Sequence, residues 1–182
     1  MATIDLPNNI LEALSTVLQQ LQQSLPEVKQ APDFSAIAFK WENGELKAIH
    51  QLKRIELNDL KGIERQKEKV LQNTEQFLNG LPANDVLLTG SRGTGKSSIV
   101  RALLTEYAEQ GLRLIEIERD DLSELPEIQK LIAKRPEKFI VYCDDLAFNT
   151  EDENYRSLKS VLDGSLQSGS SNFIIYATSN RR

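Results

Sequence analysis

Residues 90–98, GSRGTGKSS, set three glycines within six positions, directly ahead of a lysine and two serines. Such a stretch favours neither helix nor strand. It nevertheless lies between an apolar run, DVLLT, and an apolar helical pattern, SSIVRALLTEY. The spacing from Gly90 through Gly95, Lys96 and Ser97 fits G-x-x-x-x-G-K-[ST], a phosphate-binding loop, in the context such a loop requires, after a buried strand and before a helix. Glycines let backbone N–H groups turn inward around phosphate oxygens, and the helix start adds the positive end of its dipole. On this reading Gly90, Ser91, Arg92, Gly93, Thr94, Gly95, Lys96, Ser97 and Ser98 hold a nucleotide's phosphates. Lys96 reaches the β- and γ-phosphates and Ser97 offers its hydroxyl to Mg²⁺. The spacing differs from G-x-G-x-x-G, so a dinucleotide fingerprint fits poorly.

The surrounding chain alternates strand and helix patterns. DVLLTG reads as a strand, Lys96 to Gln110 as a helix closed by Gly111, and RLIEIE as a strand. A helix follows from about Pro126 to Lys134, opened by DDLSEL, then the strand KFIVYC, a helix near Asp152 to Asp163 ended by Gly164, and the strand NFIIYAT. This rhythm predicts an α/β fold, a parallel sheet with helices on both faces. Ahead of it, Ile10, Leu11, Leu14, Val17, Leu18, Leu21 and Leu25 fall on one helical stripe that Pro26 ends. FSAIAFKW and ELKAI flank Asn43-Gly44 as a small hairpin. LNDLKGIE reads as a loop leading into a charged amphipathic helix that runs to Leu78. The expected division is an extension over 1–55 and a nucleotide-binding core over 56–182.

Two further strand ends carry chemistry. KFIVYC delivers Asp144 and Asp145 where ligands bind in parallel sheets. Asp144 suits Mg²⁺ through water, and Asp145 suits orientation or deprotonation of an attacking water. NFIIYAT ends in Thr178, Ser179 and Asn180, whose side-chain amide could hold a water or a γ-phosphate oxygen between the other two elements.

Composition narrows the alternatives. A net charge of −5 argues against bulk, sequence-independent nucleic-acid binding, with Lys47, Lys53 and Arg54 the nearest candidates for a local basic face. The single cysteine, Cys143, sits in an apolar run and reads as a small buried hydrophobe, and the single histidine, His50, gives no zinc pattern. No apolar run is long enough for a membrane span and the N-terminus lacks a signal pattern, so a cytoplasmic location is expected.

Together GSRGTGKS, FIVYCDD and FIIYATSN resemble the Walker A, Walker B and sensor-1 elements of AAA+ ATPases. More narrowly, the chain from about Phe39 to Arg182 resembles a bacterial AAA+ family known as domain of unknown function 815. It does so through ERQKEKVLQNTEQFLNGLPANDVLLTGSRGTGKSSIVRALL, GLRLIEIERDDLSELPEI, KFIVYCDDLAF, YRSLKSVLDGS and IIYATSNRR. The resemblance implies ATP or ADP with Mg²⁺ as cofactors, Ser97 and Asp144 on the metal side, and Lys96, Asp145 and Asn180 as the catalytic set. It also implies base contacts from Leu60, Gly62 and Ile63. Asp145 stands where AAA+ proteins usually carry Glu, one methylene longer, which predicts slow hydrolysis. AAA+ cores continue past sensor 1 with another strand, an arginine finger and a helical lid. The expectation is therefore a three-layer P-loop sandwich truncated after sensor 1, in which Arg181 and Arg182 fall too early to be the finger. The edge beside the phosphate-loop strand would be left open or covered by another element, such as the N-terminal hairpin or helix. A ring-shaped homo-oligomer and a macromolecular client, protein or nucleic acid, are further implications. The implied activity is ATP hydrolysis coupled to conformational change. The competing expectation is a nucleotide-dependent binding switch, and a small-molecule P-loop kinase fits less well.

Overall fold

The computed structural model describes residues 10, 12–17, 20, 31–146 and 172–180. The chain divides into two compact units, Met1–Ala31 and Pro32–Arg182. In the first, residues 12–17 are helical, as the apolar stripe predicts. The expected helix near 152–163 lies outside the described residues.

The larger unit is built on a six-stranded sheet. Its strands are β1 (Ala38–Glu42), β2 (Glu45–Ala48), β3 (Val86–Thr89), β4 (Leu112–Ile117), β5 (Lys138–Cys143) and β6 (Phe173–Ser179). The spatial order is β2-β1-β4-β5-β6-β3. The β1–β2 pair is antiparallel and every other pairing is parallel. The hairpin turns at Asn43 and Gly44, both at positive φ (+55° and +72°), as the Asn-Gly pair predicts.

Helices cover both faces. On one lie α1 (Glu64–Leu78) and α2 (Lys96–Tyr107), which bury Val70, Thr74 and Phe77, and Ile99, Val100, Leu103, Leu104 and Tyr107. On the other lies α3 (Leu125–Ile132), which buries Leu125, Ile128 and Ile132 against Phe139, Val141 and Ile115. Pro126 stands in the first turn of α3, where its missing N–H costs nothing. DDLSEL, expected to cap that helix, forms most of a 3₁₀ turn over Arg119–Glu124 instead. Among the described residues no helix is long and apolar enough to cross a membrane.

Two expectations need correction. β3 is not a buried strand: it forms one edge of the sheet, alternates half-buried and exposed positions, and leaves Leu87 58% exposed. The hairpin does not cover that edge. β1 pairs with β4 at the opposite side, Phe39 beside Ile115. Apolar content made VLLT read as buried, although it stands at the edge beside the phosphate loop, whereas β5 and β6, flanked on both sides, are the strands buried along nearly their full length.

Candidate functional site

Strand order assembles the site. β6 lies between β5 and β3, so their C-terminal ends bring the acids, Asn180 and the glycine-rich loop to one edge. Register makes this specific. Cys143 pairs with Ala177, so Asp144 falls beside Thr178; Thr89 pairs with Ser179, so Gly90 falls beside Asn180. The backbone N–H of Gly90 donates to the Ser179 carbonyl at 3.2 Å.

The glycine-rich loop needs its glycines. Gly90, Gly93 and Gly95 all lie at positive φ, and Gly95, at +84°, is the N-cap of α2. A side chain on Gly95 would be strained by this φ, and its β-carbon would stand 3.2 Å from Ile63 Cδ1, a tight contact that Ile63 would have to yield to. Lys96 Nζ donates to the Gly90 and Ser91 carbonyls, each at 2.8 Å, and to Asn180 Oδ1 at 3.0 Å. The ammonium is thereby held over the loop by acceptors of the kind that phosphate oxygens also offer. Thr94 Oγ1 donates to the Ser91 carbonyl at 2.9 Å and braces the loop from within.

Across the cleft, Ser97 Oγ donates to both carboxylate oxygens of Asp144, at 3.0 and 3.2 Å. Burial by itself would raise the Asp144 pKa. Hydrogen bonds from Thr178, Ser97 and the Asp145 backbone N–H, with the polar Tyr142 hydroxyl nearby, outweigh it and hold the carboxyl below the usual range. Asp145 sits in the left-handed region at φ +52°. Its carboxylate accepts from Asn180 Nδ2 at 2.7 Å and faces Arg92 Nη2 at 3.7 Å.

A cleft of about 810 Å³ joins these groups. Arg92, Gly93, Thr94, Gly95, Lys96, Ser97 and Ser98 line it together with Asp144, Asp145, Asn180, Leu60, Gly62 and Ile63. Gly90 and Ser91 contribute through their carbonyls to Lys96. The Leu60–Ile63 segment is held by Lys67 Nζ, which donates to the Leu57 and Leu60 carbonyls at 3.0 and 3.3 Å, and by Glu64, which accepts the Gly62 N–H at 3.0 Å.

Ser97 and Asp144 supply one hydroxyl and one carboxylate on facing elements, and among the described residues no group of three or more His, Cys, Asp or Glu could form a metal cage. That donor set fits Mg²⁺ shared with nucleotide phosphates, a cation that keeps several waters and takes few protein ligands.

Sequence reasoning missed Asp59 and Lys61, which share the cleft wall, and Tyr142. The Tyr142 side chain is buried, close to the Asp144 carboxylate, and its hydroxyl finds no hydrogen bond of ordinary geometry. Its signal was a polar tip two residues before Asp144 in an apolar strand, hence on the same face.

The family model described as "Protein of unknown function (DUF815)" matches residues 34–182. The replication factor C large subunit of Methanococcus maripaludis is 36% identical over 52 residues, 29% of this chain and 11% of that protein. Among solved structures, AMPPCP-bound DnaA from Aquifex aeolicus superposes with a TM-score of 0.51 at 19% identity, over 73% of this chain and 44% of that one. The Aeropyrum pernix ORC1 protein in complex with DNA gives 0.53 at 13% identity, over 66% and 39%. At such identities the likeness is one of fold, the AAA+ P-loop fold, and the chain spans less than half the length of either structure.

Proposed function

The chain belongs to the protein family of unknown function DUF815, and on that premise we propose that it is a nucleotide-binding AAA+ module that takes MgATP and MgADP in the cleft at the C-terminal edge of its sheet. One observation carries this reading: Lys96 and Ser97 from a helix start, and Asp144 and Asn180 from two separate strand ends, meet in pairs through direct hydrogen bonds of 3.0–3.2 Å.

Each residue then has a part. Backbone N–H groups of Gly93 to Ser97 surround the phosphates and Lys96 turns its ammonium from loop carbonyls to β- and γ-oxygens. Ser97 and Asp144 hold Mg²⁺, which when bound neutralises charge on those oxygens. Ile63, with Leu60 and Gly62, meets the base. Asn180 places a water or a γ-oxygen, and Asp145 accepts the proton of the attacking water. In an oligomer, hydrolysis would drive a conformational change on a client.

A second reading, a nucleotide-dependent switch with little hydrolysis, is favoured by the state of Asp145. Its carboxylate is engaged by Asn180 and faces Arg92, so it must be freed before it can act as a base.

Calorimetric titration of MgATP and MgADP into the 182-residue chain tests the shared core of both readings. Binding is expected in the wild type and at least about 100-fold weaker in Lys96→Ala, the loss of a charge-assisted contact at each of two phosphates. Equal binding by both proteins would refute it. Turnover abolished by Asp145→Asn separates the ATPase from the switch.

A further inference from the structure

The two acids of the site are tied to one buried residue outside the phosphate loop. Thr178 is 1% exposed in β6. Its hydroxyl donates to Asp144 Oδ1 and accepts the backbone N–H of Asp145 at 2.9 Å. Its carbonyl accepts the N–H of Leu146 at 2.6 Å. Three consecutive residues of the turn after β5 are thereby pinned to a single neighbour on β6.

A hydroxyl has one hydrogen and two lone pairs. With its hydrogen committed to a carboxylate, the Thr178 oxygen keeps its lone pairs for the Asp145 N–H, and because one oxygen makes both bonds they stand or fall on one rotamer. The left-handed φ of Asp145 is unfavourable for a residue with a β-carbon and persists only where the surroundings over-determine it. The Asp145 N–H also lies 3.1 Å from Asp144 Oδ1, so carboxylate, amide and hydroxyl form one closed group.

We propose that Thr178 is a positioning residue: its hydroxyl aims Asp144 at Ser97 and holds Asp145 in the turn that directs its carboxylate to Asn180. The inference rests on the nucleotide-binding reading above and deepens it, because Thr178 acts on Mg²⁺-dependent binding through Asp144 without touching nucleotide.

Three proteins decide it: the full 182-residue wild type, Thr178→Val, which keeps the shape but neither donates nor accepts, and Thr178→Ser, which keeps the hydroxyl. ATP binding is measured by calorimetry with Mg²⁺ and with EDTA. Thr178→Val is expected to weaken MgATP binding by about 10- to 100-fold, the usual loss when a partner of a metal ligand is removed. It should leave Mg²⁺-free ATP binding within about twofold, and Thr178→Ser should restore MgATP binding. Amide hydrogen exchange reads the other half. The Asp145 amide should exchange at least about tenfold faster in Thr178→Val while the amides of β5 and β6 hold.

Unchanged MgATP binding in Thr178→Val overturns the proposal, as does equal loss with and without Mg²⁺ or faster exchange throughout β6, both marks of general damage. Should the valine variant not fold, Thr178→Ala takes its place with the same expected outcomes. A wild type whose nucleotide binding is absent or indifferent to Lys96→Ala overturns the nucleotide reading itself, and this inference with it.

Discussion

Cys143 is the last residue of β5, next to the two acids, and is buried with the sheet's apolar face. Burial, with the Glu118 and Asp144 carboxylates adding to it, pushes its thiol up to about 12. The native state therefore holds this proton more tightly than the unfolded chain, whose thiol titrates near ~8.5. Between those two values the native state binds more protons, so the contribution to stability falls as pH rises through that window. A native thiol that remains protonated is also inert. At pH 8 the native chain should alkylate roughly a thousandfold more slowly than a free cysteine, with full reactivity in denaturant. Fast labelling of the native chain would place the thiol in solvent, against its position in the sheet. This much was legible in the sequence, since one cysteine inside FIVYC reads as a small apolar side chain. Less legible was Thr178, next to residues already expected at the site. Spacing along a strand says which face a hydroxyl shares, but only the pairing of Cys143 with Ala177 says which carboxylate it meets.

The hairpin raises the same issue for a whole element. Trp41 is 2% exposed, packs in one cluster with Phe39, Leu46 and Leu125, and donates its indole N–H to Glu124 Oε2 at 2.5 Å. β1 is thereby joined to the sheet through β4 and, by its tryptophan, to the segment that opens α3. Trp41→Ala should cost about 3–5 kcal/mol, as removal of a buried aromatic does. As the chain's one tryptophan, Trp41 also reports on the hairpin alone. Its fluorescence and the far-UV circular dichroism should lose their native signals at the same denaturant concentration. An earlier fluorescence transition would mean that the hairpin unfolds as a unit of its own. The elements themselves were readable: Asn-Gly marked the turn, the helical stripes marked α1 and α2, and the strand-helix rhythm marked a parallel sheet. Which edge receives the hairpin, and how exposed the phosphate-loop strand would be, was not. VLLT and FIIYAT are both apolar, and the difference between an edge strand and a central one comes from neighbours that local pattern does not name.

At the scale of the molecule, the cleft is assembled from residues 59–63, 92–98, 144–145 and 180, four segments of the chain. None of these segments can hold a nucleotide in the unfolded chain, because the register of β3, β6 and β5 is what brings them together. A ligand of this cleft therefore binds the native state alone and raises its stability by mass action. At 100 times the dissociation constant that is about 2.7 kcal/mol. For a unit of this size it corresponds to a rise in Tm of roughly 5–10 °C. Thermal unfolding with MgATP at that excess should show such a shift in the wild type and at most about 1–2 °C in Lys96→Ala at the same nucleotide concentration. The comparison also locates the ligand. A second cavity of about 630 Å³ lies beside Arg101, Lys53 and Arg54, away from the phosphate loop. Nucleotide held there would raise Tm in both proteins alike, whereas a shift that shrinks with the loss of Lys96 belongs to the loop between β3 and α2.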